Sequence, residues 1–329
     1  AGGAGAMKEV AVMHFPTMER LARQVAEGEE FRARFGTPLF CNVRWEAFPD
    51  GYPNLFVDNA MALRGHKVVF FADFFDPAQL FPQLSLVYAL PRLMVASLTV
   101  VLPYFPTGTM ERVELEGQVA TAKTLTRMLS ATPPTQQGPA RIMIYDIHAL
   151  AERFYFADSI FPLLETAVPL FIRRLEAAYA EEKAAGRLSI AFPDEGACKR
   201  FGKSFSELGF PVITCIKVRD GDRRIVKIKE GDVAGQHVFV VDDLVQSGGT
   251  LLQCKEALWE GGAAKVSAYV THAIFPKDSW RRFLGEERGF DKFYLTDSCP
   301  SRTGQLDGHA PFHILSLAPS VTDALTHCL

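Results

Sequence analysis

Residues 237–258, HVFVVDDLVQSGGTLLQCKEAL, decide how the chain folds. The unbroken apolar run Val238–Val241 has the look of a buried strand. It ends in two adjacent carboxylates, Asp242 and Asp243, and passes through the short loop Ser247-Gly248-Gly249-Thr250. Leu251, Leu252 and Leu258 then carry helical spacing. A strand, an acidic turn, a glycine loop and a helix follow in that order. Two glycines let backbone N–H groups approach an anion, and the helix N-terminus adds partial positive charge. Ser247 and Thr250 add hydroxyl donors. Carboxylates repel a phosphate, so Asp242 and Asp243 must serve something beside it, such as sugar hydroxyls or a magnesium ion. A ribose phosphate satisfies both halves. The alternative is an ordinary strand-to-helix turn with incidental acids.

The phrase recurs along the chain. An apolar run ending in an acid and followed by a helical pattern occurs at 67–73 (KVVFFAD), 141–146 (RIMIYD), 188–194 (LSIAFPD) and 237–243. Strands alternating with helices imply an α/β fold with mainly parallel sheets flanked by helices, and ligands gather at the carboxyl ends of such strands. Two phrases fall in each half, which predicts two related domains, 1–165 and 166–311. The break is expected near 166–186, where a long helix carries the polar tail YAEEKAAGR. The C-terminal HILSLAPSVTDAL reads as a strand and a helix, and 312–329 is expected to pack back on the first domain. Near the start, MKEVAVMHF reads as a first strand, Met18 to Phe31 as one amphipathic helix, and Asn42 to Asn54 as a short strand entering a Pro/Asp/Gly turn.

Composition excludes several classes. The 329 residues carry 35 basic and 38 acidic side chains, a formal net charge of -3, which offers no footprint for a nucleic-acid backbone. The longest apolar stretch, Leu84 to Phe105, contains Pro91, Arg92 and Pro103 and so fails as a membrane span. Cysteines 41, 198, 215, 254, 299 and 328 show no C-x-x-C spacing, which suits a reducing compartment without a zinc site. A cytoplasmic location follows as the expectation. The opening AGGAGAM, with Met7 as an original start or as part of the trimmed end of a precursor, keeps a plastid as the alternative.

Other tracts carry candidate chemistry. In YDIHALAERF, His148 stands two residues beyond Asp146 at a strand end, where the topology sends ligands; the bland alternative is a structural hydrogen bonder. Ala197 to Ser204 formally satisfies [AG]-x-x-x-x-G-K-[ST], but Cys198, Lys199, Arg200 and Phe201 fill its middle, so it reads as helix and not as a phosphate loop. What remains at that turn is Asp194, able to bind a metal, with Lys199 or Arg200 near a helix start. VITCIKVRDGDRRIVKIKEG reads as a hairpin about Asp220-Gly221. Alternation along a strand puts Lys217 and Arg219 on one side, converging on one target.

VVDDLVQSGGT resembles the phosphoribosyl pyrophosphate (PRPP) motif of phosphoribosyltransferases and PRPP synthetases. FPTGTMER, YDIHALAERFYFAD, VVDDLVQSGGTL and VSAYVTH are similar to the plant-type, phosphate-independent branch of ribose-phosphate pyrophosphokinases, and the resemblance covers nearly the whole chain. It implies two phosphoribosyltransferase-like domains and a magnesium-dependent transfer of the diphosphoryl group of ATP to ribose 5-phosphate, giving PRPP and AMP. It implies that Asp242, Asp243, Gln246, Ser247, Gly248, Gly249 and Thr250 bind ribose 5-phosphate. Lys217 and Arg219 are then catalytic, Phe48, Asp50, Thr109 and His148 bind ATP, and His148 with Asp194 holds magnesium. The loop NVRWEAFPDGYPN is similar to one that reaches the adenine across a subunit boundary, which implies a homo-oligomer. The chain departs from bacterial and mammalian members at Thr109, where they carry an ATP-binding Arg, at Tyr52, where they carry Glu, and at Gln246, where they carry Asp. A phosphoribosyltransferase would share the 237–258 motif without needing the N-terminal half. A non-catalytic, synthetase-associated regulatory protein would be expected to have lost Lys217, Arg219, His148 and Asp194.

Overall fold

The computed structural model describes residues 10–220, 223–285 and 289–329, and only the backbone of Arg219, Asp220, Arg223 and Arg224. The chain divides into two compact units, 1–165 with 318–329, and 166–317.

The first unit is built on strands β1 (Val10–His14), β2 (Leu39–Phe40), β3 (Val43–Ala47), β4 (Pro53–Val57), β5 (Lys67–Phe71), β6 (Ser97–Val101), β7 (Ala140–Tyr145) and β8 (Ile160–Glu165). Six form one sheet in the order β2-β1-β5-β6-β7-β8, parallel throughout, while β3 and β4 pair as a separate antiparallel hairpin. Its helices are α1 (Glu19–Glu27), α2 (Glu29–Phe35), α3 (Leu80–Ala89) and α4 (Thr121–Ser130). Strands β5 and β6 are buried on both faces, as strands inside an all-parallel sheet are. The expected single helix from Met18 to Phe31 is two helices. Gly28 adopts extended backbone between them, and a Cβ there would lie 3.1 Å from the Gln24 carbonyl.

The second unit contains β9 (Leu188–Phe192), β10 (Val212–Asp220), β11 (Arg223–Glu230), β12 (His237–Val245), β13 (Lys265–Ala273), β14 (Phe293–Thr296) and β15 (Phe312–Leu315). Helices α5 (Val168–Ala178), α6 (Ala180–Ala184), α7 (Glu195–Ser206), α8 (Gly249–Glu260) and α9 (Pro300–Leu306) flank the sheet. The strand order is β11-β10-β9-β12-β13-β14-β15, parallel except for the β10–β11 hairpin. Counted by sequence within each sheet, with β11 set aside, the order is 2-1-3-4-5-6 in both units. The direction of winding reverses between β1 and β5 in one unit and between β9 and β12 in the other, which marks where a ligand crevice forms.

The long helix expected over 166–186 breaks at Tyr179, whose ring packs edge-on against His237 and Phe239 and whose hydroxyl meets Tyr294 Oη at 3.1 Å. Strand β15, expected to return to the first domain, pairs with β14 in the second sheet. Only the last helix, α10 (Ala318–Thr326), joins the first unit, where it lies on α1 and α2. In β12, Val238 and Val240 face a core shared with Leu251, Cys254 and Leu258 of α8. Phe239 and Val241 face the opposite core, around Phe171 and Phe205. All six cysteines are free. No helix among the described residues is long and apolar enough to cross a membrane.

Phe171 is fully buried and stacks on Tyr269 with ring centroids 4.3 Å apart. Replacing it by alanine should cost about 3–5 kcal/mol, read as a lowered urea midpoint; an unchanged midpoint would mean that this layer is not the core of the second unit.

Candidate active site

The second unit gathers its acids and cations where β9 and β12 end. Asp194 follows β9 and caps α7, with Oδ1 accepting from the Ala197 amide at 3.0 Å and Oδ2 3.0 Å from Lys217 Nζ on β10. Burial acts to raise the Asp194 carboxyl. The hydrogen bonds from Ala197 and Lys217 and the lysine charge outweigh it and hold the group below its ordinary value. Asp194 is therefore an ionised, partly accessible oxygen donor, the kind of ligand magnesium favours. A second ion pair, Lys229 with Glu195, ties the other arm of the hairpin to the same helix start. The Ala197 to Ser204 tract lies inside α7, so its N–H groups belong to a helix and not to a phosphate loop.

Asp242 and Asp243 stand at the end of β12. The Asp243 amide donates to Asp242 Oδ1 at 2.9 Å, and the Leu244 amide to Asp243 Oδ1 at 2.9 Å. Asp243 Oδ2 lies 3.7 Å from the guanidinium of Arg200, which reaches it from α7. Asp242 keeps some exposed surface, but loss of water around its carboxyl, then the adjacent Asp243 charge, push it well above the usual carboxylate range, with Asp194 adding to the repulsion. A carboxyl that holds its proton this readily can donate as well as accept, which suits sugar hydroxyls.

Gln246 and Ser247 are exposed, and the loop turns into α8 at Gly248. Gly248 has φ +80, and a Cβ there would lie 2.4 Å from Phe283 Cζ. Gly249 has no such constraint, since its Cβ would meet only Ser247 Oγ at 3.9 Å. The amides at the start of α8 face outward without helical acceptors, beside the hydroxyl-bearing Ser247 and Thr250. Ser279 Oγ donates to the Gln246 carbonyl at 3.0 Å, and Arg282 Nη1 to the Ser247 carbonyl at 2.7 Å. Sequence reasoning missed Ser279, Arg282 and Phe283. They lie some thirty residues downstream of the loop, and no spacing rule links them to it.

The first unit holds the remaining candidates. Thr109 lies in the short helical turn Gly108–Met110, beyond β6. A Cβ on Gly108 would stand 3.4 Å from His148 Cβ, so this turn and the exposed His148, beyond β7, are neighbours. Tyr155 Oη donates to the Glu111 carbonyl at 2.6 Å and fastens the same two segments. Phe48 and Asp50 sit elsewhere, at the tip of the β3–β4 hairpin, where Phe48 is 50% exposed and the Asp50 carboxylate accepts from the Tyr52 amide. Asp73, at the crevice position of this sheet, is occupied internally, accepting from Thr17 Oγ1 at 2.6 Å and from the Phe75 amide at 3.0 Å. Arg219 lies on β10, paired across the hairpin with Arg224, but its side chain is outside the described residues, as is the Gly221 half of the predicted turn.

Gly248→Ala should destabilise the protein by about 2 kcal/mol or more, through left-handed backbone and ring overlap, whereas Gly249→Ala should be far milder. Thermal melts of the two variants side by side test this; equal melts would refute the contact with Phe283.

The chain is similar to several known proteins. The phosphoribosyl transferase domain family matches residues 172–281. Ribose-phosphate pyrophosphokinase 4 of Arabidopsis thaliana is 50% identical over 323 residues, covering 97% of this chain and 92% of that protein. The chloroplastic ribose-phosphate pyrophosphokinase 3 of Oryza sativa subsp. japonica is 49% identical, covering 98% of this chain and 78% of that one. In fold, the crystal structure of phosphoribosylpyrophosphate synthetase from Mycobacterium smegmatis superposes with a TM-score of 0.81 at 22% identity, over 98% of this chain and 99% of that one. With half its residues shared along almost the full length of a relative, the chain belongs to the ribose-phosphate pyrophosphokinase family.

Proposed function

We propose that the protein transfers the diphosphoryl group of ATP to the anomeric hydroxyl of ribose 5-phosphate, releasing AMP and forming PRPP. The observation that carries this reading is the acidic pair Asp242–Asp243 running into a bare helix start, a cradle for a sugar on one side and a phosphate on the other. Ser247, Gly248, Gly249 and Thr250 hold the 5-phosphate through amides and hydroxyls, with Gln246 at the rim. Asp242 and Asp243 orient the ribose hydroxyls, and Arg200 steadies Asp243.

Phosphoryl transfer of this kind depends on positioning and on neutralising charge that develops on the transferred group. Lys217 supplies one cation, with Arg219 two residues along the same strand as its partner in that role. Lys217 must exchange Asp194 for the transferred group, a change of partner between two oxyanions. Asp194 would serve as a magnesium ligand, an ionised oxygen donor of the kind that ion favours, and the family resemblance proposes His148 of the first unit as another. The ion would supply positive charge to screen the ATP phosphates. Phe48 stacks on the adenine and Asp50 shapes the tip that presents it, while Thr109 lines the nucleotide with His148.

A homo-oligomer fits the open aromatic surface of the β3–β4 hairpin, where Phe48, Tyr52 and Phe56 are 50%, 67% and 54% exposed. The net charge of -3 supports no nucleic-acid partner. The cytoplasm is the proposed compartment, and the chloroplastic relative favours a plastid as the second reading; imaging the tagged full-length protein separates them.

The deciding assay follows AMP and PRPP from ribose 5-phosphate with a panel of nucleoside triphosphates, with and without inorganic phosphate. Consumption of PRPP with a base, and no AMP release from ATP, would instead make the protein a phosphoribosyltransferase. Lys217→Ala should lower kcat by about a hundredfold or more, the usual worth of one well-placed charge-stabilising group, and unchanged turnover would remove Lys217 from the mechanism. Size exclusion and assay at one concentration should show activity only in the assembled form; a fully active monomer would refute the shared-site reading.

A further inference from the structure

The stretch joining β13 to the following turn is bent in a way that its composition does not explain. Phe275, Lys277 and Asp278 have φ of 42°, 53° and 55°, left-handed backbone at three non-glycine positions within four residues. Such backbone persists only where the surroundings over-determine it. Here they do. Phe275 is fully buried against Phe283, Phe293 and Phe312; Trp280 packs on Phe312; and Asp278 accepts from Arg302 at 3.1 Å. In the short helix Pro276–Phe283, three residues make a turn, so Trp280 and Phe283 point inward together. Ser279 and Arg282 share the neighbouring face, which meets the loop at 246–248.

Both polar contacts go to carbonyl oxygens, and that detail matters. In a trans peptide the C=O and the N–H of the same unit point in opposite directions. Ser279, holding the Gln246 carbonyl, therefore fixes the direction of the Ser247 amide. Arg282, holding the Ser247 carbonyl at 2.7 Å, fixes that of the Gly248 amide. Without these donors the two peptide units are free to rotate, and either carbonyl could turn toward an incoming anion and repel it. Phe283 closes the arrangement from below, filling the space that any side chain at 248 would need.

We propose that 275–283 is a brace for the anion loop and that Arg282 is its positioning residue, setting affinity for the phosphate end of the sugar phosphate. The inference rests on the ribose 5-phosphate reading of that loop. Arg282 acts through the peptide it holds, and its charge beside the loop adds to the attraction for a phosphate.

Arg282→Ala is titrated with ribose 5-phosphate by calorimetry and compared in steady state with wild type, Arg282→Lys and Ser279→Ala. Affinity for ribose 5-phosphate should fall about tenfold or more, the scale of one charge-assisted hydrogen bond. KM for that substrate should rise by a similar factor, while KM for ATP stays within a factor of about two. Arg282→Lys should recover part of the loss, and Ser279→Ala should show a smaller effect of the same kind. Ribose 5-phosphate affinity close to wild type in Arg282→Ala overturns the brace, as does an equal rise in KM for both substrates, which marks general disruption. A wild-type protein that binds ribose 5-phosphate but releases no AMP removes the diphosphokinase reading alone, and the same titrations still decide the brace. Failure of wild type to bind ribose 5-phosphate overturns both.

Discussion

A helix can offer its first amides to an anion only if the chain arrives through a turn that leaves them bare. In this protein that turn depends on residue 248 having no Cβ. Gly248 sits in left-handed backbone directly over the ring of Phe283, and the packing of α8 against β12 and β13 then follows from where that turn releases the chain. The carboxylates before the turn and the hydroxyls of Ser247 and Thr250 on either side of it gain their meaning from the same joint, since in the proposed reading one part serves a sugar and the other a phosphate.

The two units wind their strands in the same order, yet they use the reversal point differently. In the second unit, Asp194, Asp242 and Asp243 crowd together there and repel one another, a cost that folding alone does not justify. At the matching point of the first unit, Asp73 is consumed by Thr17 and the Phe75 amide, while its own backbone is gripped by Gln83. The same topology thus yields one crevice where three carboxyl groups gather with Lys217 and Arg200 and one sealed by internal hydrogen bonds. The chemical candidates of the first unit sit instead beyond β6 and β7, at Thr109 and His148.

Much of this was legible in the sequence because it is local. Val238 to Val241 reads as a strand covered on both faces, and Asp194 before a helix reads as a strand-end acid, without knowledge of any partner. The antiparallel pairing of β10 with β11 was legible as a hairpin in the tract 212–231. What escaped depends on contacts distant in sequence. Gly28 breaks a helix where the periodicity ran on, and Tyr179 ends α5 because its ring is drawn to His237 and its hydroxyl to Tyr294. Residues 312–315 complete the second sheet because β14 offers them an open edge, a fact absent from their own pattern. Arg200 at Asp243 and Arg282 at Ser247 are further cases: a basic residue announces charge, but only the fold names its counterpart.

The pairing of Lys217 with Asp194 bears on how the site first meets a cation. Asp194 is not waiting with a bare charge; it already holds an ammonium. Any metal ion that comes to this carboxylate arrives by substitution, and its apparent affinity measures the difference between two partners rather than the strength of one. A metal taking Lys217's place at Asp194 would leave that ammonium free for an accompanying anion, coupling the ion's binding to the charge of the hairpin.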